Sequence, residues 1–426
     1  MREEILKSLH DWNPWIEGEF PKELAGYPRS YLLEPYLQIP EVKVLEGARR
    51  VGKSTLFYQI IEKLLKHDKN VLYINFEDEI LKKYTLREIV ETYREVVPVR
   101  NLFIDEIQNC IEWVPFIRKA YDRKEIPQIW ISGSNSSFIK KEFATLLTGR
   151  NITIKVYPLS FEEYLHFKSI DTKFPVSSKK ETLIKSHFIQ YFEIGAFPAV
   201  VLRPVLQKEL LISYFEDFIY KDISSRREVN GIKIKELGIY LATNSAKCFS
   251  YRSCGKALGI HPTTIMDYCS YFYEIFLFSE LYKFDYSLKN QIGSDKKIYM
   301  ADTGLASAIS FRFSEDHGRI LENIVHNELK RRNEELYFHK QKYECDFLVK
   351  KDLKISSAIQ VTKTLQDPEV KSREVRGLLE AMRVYQLSEG LILTMDEEGM
   401  EKIQEENRTL QIKIIPTWKW LIKCSD

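Results

Sequence analysis

The stretch Gly47-Ala48-Arg49-Arg50-Val51-Gly52-Lys53-Ser54-Thr55 fits the pattern GxxxxGK[ST] over its first eight residues. Its flanks make the match informative. Val42–Glu46 before it is a short apolar run that reads as a strand. After it Leu56, Ile60, Ile61, Leu64 and Leu65 recur at helical spacing. A glycine-rich turn between a strand and a helix lets backbone N–H groups wrap a polyphosphate, and the helix N-terminus favours negative charge. Lys53 is then placed to reach the β- and γ-phosphates, and Ser54 offers a hydroxyl to Mg²⁺. The residues from Gly47 to Thr55 are the expected nucleotide-binding set. A coincidental glycine loop would not be expected to keep the complete pattern in this context.

Working outward, residues 71–76, 102–104, 128–132 and 152–156 read as further strands, with helical stretches at 85–96 and 114–123. Strands that alternate with helices predict an α/β fold with a parallel sheet covered on both faces. The third strand ends Leu102-Phe-Ile-Asp105-Glu106, so two carboxylates stand at a strand's C-terminal edge, where ligands sit in open α/β sheets. Asp105 is expected to hold Mg²⁺ through its water shell, and Glu106 to orient the attacking water. Glu77 and Asp78 follow the second strand and read as a solvated strand end. The fourth strand runs into Ser134 and Asn135, either of which can touch a γ-phosphate or the water, or cap a following helix. Arg150, on a turn before the fifth strand, fits either an arginine finger aimed at a neighbouring subunit or an ordinary surface ion pair.

The chain has 426 residues, which suggests about two to four domains. With 44% hydrophobic and 13% aromatic residues, general disorder is excluded. Lys+Arg 63 against Asp+Glu 61 leaves +2, which excludes a globally basic nucleic-acid coat but not a local basic face. The six cysteines form no CxxC pair, so neither a zinc site nor a disulfide framework is expected. The N-terminus has no signal-peptide core, and the most apolar run, 271–282, is broken by Glu274 and Glu280. The expectation is a cytoplasmic protein with no membrane contact.

The reading divides the chain into an irregular arm (1–40), the nucleotide core (41–157), a helical lid (158–229), a winged helix (230–304) and a separate α/β domain (305–426). The winged helix rests on Tyr251 to Leu258, a turn at Gly259, and a second helix opened by Pro262, followed by a β-ribbon. Ala257 and Leu258 are expected to pack. Thr263, Thr264 and Asp267 would face a ligand with Lys256 nearby, and Lys289, Lys296 and Lys297 would lie on the wing, ready for double-stranded DNA phosphates. A protein-binding winged helix is the alternative.

Together these residues resemble the AAA+ ATPases of archaeal and bacterial type that carry a C-terminal domain with a nuclease-like core. The resemblance spans nearly the whole chain. Besides the two nucleotide motifs it rests on residues 132–136, on 148–150 leading into Pro158-Leu-Ser-Phe-Glu-Glu-Tyr164, on Gly195-Ala-Phe-Pro198, on Tyr299-Met-Ala-Asp302-Thr-Gly304 and on Arg319-Ile-Leu-Glu322-Asn323. It implies ATP as ligand, hydrolysis, a homo-oligomer of hexamer type, and Arg150 as the finger. The lid offers no clear second sensor arginine; Arg203, Arg226 and Arg227 are the candidates. Glu322, Asp346 and the Ile359-Gln360-Val361-Thr362 run resemble a PD-(D/E)XK nuclease core. There Gln360 stands for the second acid and Thr362 for the lysine, with Lys363 one residue on. A neutral amide cannot supply the missing charge, so the reading is a degenerate nuclease fold used for assembly or nucleic-acid binding. An ATP-dependent DNA-processing nuclease and a nucleotide-controlled signalling switch are the alternatives.

Overall fold

The computed structural model describes residues 2–135, 149–173, 177–310, 316–405 and 408–423. The chain divides into two compact units, residues 1–157 with 274–276, and residues 158–273 with 277–426.

The first unit is built on five strands: β1 (Val42–Glu46), β2 (Val71–Asn75), β3 (Asn101–Asp105), β4 (Gln128–Gly133) and β5 (Asn151–Lys155), in the order β2-β3-β4-β1-β5. All four pairings are parallel, as the alternating pattern predicts. Helix Lys53–Leu64 follows β1, helix Leu86–Arg94 follows β2, and helix Trp113–Asp122 follows β3. Thr85 opens the second of these with a capping box closed by Glu88. Because the strands are parallel, the C-terminal ends of β1, β3 and β4 all open on one edge of the sheet, and β4 lies between the other two.

The N-terminal segment differs from the irregular arm expected. Arg2–Trp12 is an α-helix whose Ile5 and Leu9, four residues apart, are buried in the same apolar core as β1–β4. Its end protects the sheet. The Asn13 side chain accepts the Tyr73 backbone N–H at 2.7 Å and donates to the Tyr73 carbonyl at 2.8 Å. An edge strand presents open backbone groups, and here an amide side chain satisfies one pair of them on β2.

The second unit opens with helices, among them Phe161–Phe167, Ser178–Ile194, Gln207–Asp217 and Gly231–Thr243. A π-helical turn, Phe218–Ser224, follows the third. Among the described residues, nine strands form its sheet: β6 (Cys248–Phe249), β7 (Phe278–Lys283), β8 (Lys296–Met300), β9 (Glu335–Lys340), β10 (Glu344–Lys351), β11 (Lys354–Val361), β12 (Glu389–Thr394), β13 (Gly399–Glu405) and β14 (Arg408–Pro416). Their order is β13-β14-β12-β11-β10-β9-β7-β8-β6. The sequence boundary at 304/305 therefore falls inside one continuous sheet, because β7 pairs in parallel with β9 through Tyr282–Tyr337 and Lys283–Phe338. The strands expected as a winged-helix ribbon and those expected in a separate α/β domain share one sheet.

Two helices form in the segment read as a helix-turn-helix, Tyr251–Leu258 and Pro262–Glu274. Gly259 takes φ +66°, and a Cβ on Gly255 would meet the Ile260 carbonyl oxygen at 2.5 Å. Cys254 and Gly255 pack inward there, whereas Ala257 is exposed and Leu258 half-buried. The wing lysines need correcting. Lys289 is exposed, but Lys297 is buried and Lys296 lies over the rings of Tyr251 and Tyr282, at 4.8 and 5.4 Å. Two of the three expected phosphate contacts are thus internal.

Two motifs of the resemblance meet inside this unit. Asp302 caps helix Thr303–Ile309 by accepting the Leu305 N–H at 2.8 Å, and its other oxygen accepts the Ala196 N–H at 2.6 Å. Gly195 and Gly304 allow the approach: a Cβ on either would lie 2.2 Å or less from Asp302 or from the Ile194 carbonyl. Among the described residues, no helix is long and apolar enough to cross a membrane.

Candidate active site

The loop between β1 and its helix has the backbone that its glycines predict. Gly52 sits at φ +96°, and a Cβ on Gly47 would come 2.1 Å from the Val156 carbonyl oxygen. Lys53 is buried and lies across the loop, donating from Nζ to the carbonyls of Gly47 at 3.0 Å and Ala48 at 2.9 Å. The loop is held from outside by the N-terminal segment. Arg29 is buried and donates to the Val51 carbonyl at 2.9 Å and to that of Tyr157 at 3.2 Å. The Gln59 amide donates to the carbonyls of Ala25 and Tyr27, both at 2.6 Å. Gly26 lies so close to Thr55 that a Cβ there would stand 3.4 Å from the Thr55 methyl. Arg50 takes a positive φ of 68°, and Arg49 pairs with Glu77 at 3.1 Å. That ion pair accounts for Glu77. Asp78 accepts the Trp12 indole N–H and the N–H groups of Ile80 and Leu81, a structural role.

Asp105 and Glu106 stand at the end of β3 on the same sheet edge. Asp105 is buried and accepts hydrogen bonds from Tyr73 at 2.8 Å and from Ser132. Burial and then the adjacent Glu106 charge push its carboxyl up from the ordinary value; the hydroxyls of Ser132, Ser54 and Tyr73 pull the other way. Strand β4 joins the phosphate loop to the acids: Gly133 is in register with Glu46, just before the loop, and Ser132 hydrogen-bonds Asp105. Glu106 takes φ +54°, ψ +48°, a left-handed backbone that costs a residue with a Cβ roughly 1–3 kcal/mol. Burial raises the Glu106 carboxyl, but the Lys53 charge, Gln108, Arg49 and Ser134 outweigh it and hold the group below its usual range. It is therefore ionised at neutral pH. Gln108 Nε2 donates to Glu106 Oε2, and Ser134 Oγ donates to the same oxygen at 3.3 Å. Ser134 and Asn135 are both buried at the end of β4, between β1 and β3. A helix cap by either would fall on residues 136–148, outside the described residues.

Arg150 is elsewhere. Its carbonyl accepts the Val42 N–H at 2.9 Å, which fixes it at the N-terminal ends of β5 and β1, the sheet edge opposite the phosphate loop. Its guanidinium pairs with Asp122 at 2.7 Å and is 31% exposed. Thr148 lies outside the described residues. Of the lid arginines, Arg203 is exposed, Arg226 lies 3.9 Å from Asp222, and Arg227 stacks on Tyr271 at 4.9 Å.

An AAA domain family matches residues 40–165, the segment that holds β1–β5, the phosphate loop and both acids. Over most of the chain, protein MJ1544 of Methanocaldococcus jannaschii is 35% identical across 398 residues, covering 89% of this chain and 88% of its own length. The chain belongs to one family with MJ1544, and its residues 40–165 are an AAA domain. A Haemophilus influenzae protein is 30% identical over 349 residues, covering 77% of this chain and 84% of its own. A domain of unknown function matches residues 185–316, which crosses the expected boundaries at 229/230 and 304/305. Solved structures similar in part include AMPPCP-bound DnaA from Aquifex aeolicus, 14% identical, covering 57% of this chain and 85% of that one with TM-score 0.28. A variant of Thermotoga maritima RuvB is 13% identical, covers 61% of this chain and 88% of its own, and has TM-score 0.30.

Three residues of the AAA-domain site were not singled out by sequence. Tyr73 hydrogen-bonds Asp105, Gln108 hydrogen-bonds Glu106, and Ser132 hydrogen-bonds both. Gln108 carried a signal, since it closes the run Asp-Glu-Ile-Gln. Tyr73 is 32 residues from Asp105 and carried none.

Proposed function

We propose that this protein is a Mg²⁺-dependent ATPase working as a homo-oligomer, in which nucleotide turnover acts on a C-terminal partner-binding module. The observation that carries the reading is strand β4: its Gly133 is in register with Glu46, which leads into the phosphate loop, and Ser132 and Ser134 hydrogen-bond Asp105 and Glu106, so the loop and the two acids form one site. The loop amides and Lys53 bind and orient the phosphates. Ser54, at the start of the helix after β1, and Asp105, at the end of β3, are hard oxygen donors at one sheet edge, a set that fits Mg²⁺ once phosphate oxygens complete its shell. When bound, the ion neutralises charge developing on the phosphates. Glu106, ionised and steadied by Gln108 and Ser134, orients a water and accepts its proton.

Arg150 is read as the finger for a neighbouring copy. Its position at the far sheet edge supports this: a five-residue strand separates it from its own phosphate loop by roughly 15 Å. The resemblance supplies the hexamer. For the C-terminal module the burial of Lys296 and Lys297 favours a protein ligand over DNA phosphates, as does the exposed helix face of Thr263, Met266 and Asp267. Gln360 and Thr362 weigh against cleavage.

The test is ATP binding and turnover by the full chain with and without duplex DNA. The expected result is Mg²⁺-dependent hydrolysis that DNA does not stimulate, and loss of tight ATP binding in Lys53→Ala. Equal ATP affinity in Lys53→Ala would defeat the reading.

A further inference from the structure

Around β8 and β10 the second unit buries an array of charge that the nucleotide chemistry does not use. Lys297 Nζ, on β8, lies 2.8 Å from Glu322 Oε1, 2.9 Å from Asp346 Oδ1 and 2.9 Å from Glu344 Oε1. Its side chain is 2% exposed. Glu322 comes from helix His317–Arg331, and Glu344 and Asp346 from β10. Glu322 and Asp346 are the two positions that resemble the carboxylates of a nuclease metal site. Their electrostatic centre already holds a cation, supplied by the chain itself from a strand outside that motif.

The other groups facing the cluster fit an ammonium and not a metal ion. Tyr299 donates to Glu322 Oε1 at 2.6 Å, so that oxygen accepts two hydrogen bonds. Asp346 Oδ2 accepts the Val361 N–H at 3.0 Å. Gln360 is turned to its neighbours: its carbonyl oxygen accepts the Asp346 N–H at 3.3 Å and its amide donates to Glu374. Thr362 donates to the Thr364 carbonyl at 3.3 Å. Arg373 pairs with Glu374, and Lys340 with the second oxygen of Glu344 at 3.1 Å. Contacts of 2.8–2.9 Å are ordinary for a charged N–H donor, whereas Mg²⁺ or Ca²⁺ needs oxygens at roughly 2.0–2.6 Å. Lys297, and Lys340 beside it, are the ammonium groups that face Glu322, Asp346 and Glu344.

We propose that Lys297 stands in for the divalent cation of a nuclease-type site, so that the carboxylate cluster is a metal-free structural centre joining β8, β10 and helix His317–Arg331. Removing the ammonium should leave a cluster that attracts a divalent ion. Breaking a buried charge set by deleting one partner is costly, while neutralising both partners costs less.

The experiment uses the full chain without nucleotide and Mn²⁺ as probe, with bound ion counted by electron paramagnetic resonance. Wild type is expected to show no Mn²⁺ binding that Asp346→Asn removes. Lys297→Met should gain one Mn²⁺ per chain, at least tenfold tighter than any wild-type binding, and lose it in Lys297→Met with Asp346→Asn. Because the comparison is against Asp346→Asn, binding near Asp105 does not enter. Asp346-dependent Mn²⁺ binding by wild type, or a folded Lys297→Met that binds none, overturns the proposal. If Lys297→Met does not fold, the double variant with Asp346→Asn should fold better than the single one. A double variant no more stable than the single one also overturns the proposal.

Discussion

The Ser132 hydroxyl donates to Asp105 Oδ1 and accepts the backbone N–H of Glu106 at 3.2 Å, so one side chain on β4 fixes both acids at the end of β3. Glu106 needs such a hold, because its left-handed backbone is unfavourable for a residue with a Cβ. Ser132→Ala leaves a buried carboxylate oxygen and a backbone donor without this partner, a loss of about 1–3 kcal/mol. Mg²⁺-dependent turnover should fall by about tenfold or more, with ATP affinity less affected, since no phosphate contact is removed. Steady-state kinetics check this; an unchanged turnover number would show that Ser132 does not position the acids.

Arg150→Ala should bind ATP nearly normally and hydrolyse it poorly. Losing a finger of this type costs roughly 10³–10⁵ in rate in other P-loop enzymes. The Asp122 ion pair is a half-exposed contact of small value, so stability should change little. Mixing Arg150→Ala with Lys53→Ala should restore part of the activity, because one interface can then pair an intact loop with an intact Arg150. Full activity of Arg150→Ala, or undiminished turnover by strictly monomeric protein, contradicts the role in trans.

Asp302 gives the second unit a pH dependence. Burial raises its carboxyl to about 6, against the donors Leu305, Ala196 and Gly304, from an ordinary value of 3.8. The folded state thus holds the proton more tightly than the unfolded chain. Its contribution is full below the ordinary value and is lost as pH rises through about 6, by roughly 2–3 kcal/mol in all. Asp302→Asn removes the titration, so urea unfolding midpoints measured from about pH 4 to 7 should vary less than in wild type. Identical pH profiles would show that Asp302 does not titrate in this window.

How much of this was legible in sequence depends on whether the signal was contiguous. Gly47 to Ser54 lie within one turn and the start of its helix, so their chemistry and backbone needs are visible together. Asp105 and Glu106 are legible because strand β3 ends at them. Tyr73 and Ser132 depend on β2 and β4 flanking β3, a strand order no local pattern states. Lys297 is 49 residues from Asp346 and 25 from Glu322, and in sequence it looks like any solvated wing lysine. Residues 2–12 were misread because the apolar stripe is only Ile5 and Leu9 with Trp12, and the prolines that follow masked it. The domain boundary at 304/305 failed for a similar reason, since parallel pairing of β7 with β9 joins segments more than fifty residues apart.

The central claim is that Glu106 activates water while the phosphate loop binds, and one comparison tests it most directly. ATP affinity and single-turnover hydrolysis are measured for wild type and Glu106→Gln with Mg²⁺ present. Glutamine keeps the size and the contacts to Gln108 and Ser134 but loses the base. The account predicts ATP affinity within a few-fold of wild type and hydrolysis slower by about two orders of magnitude or more. Hydrolysis by Glu106→Gln at the wild-type rate would contradict it.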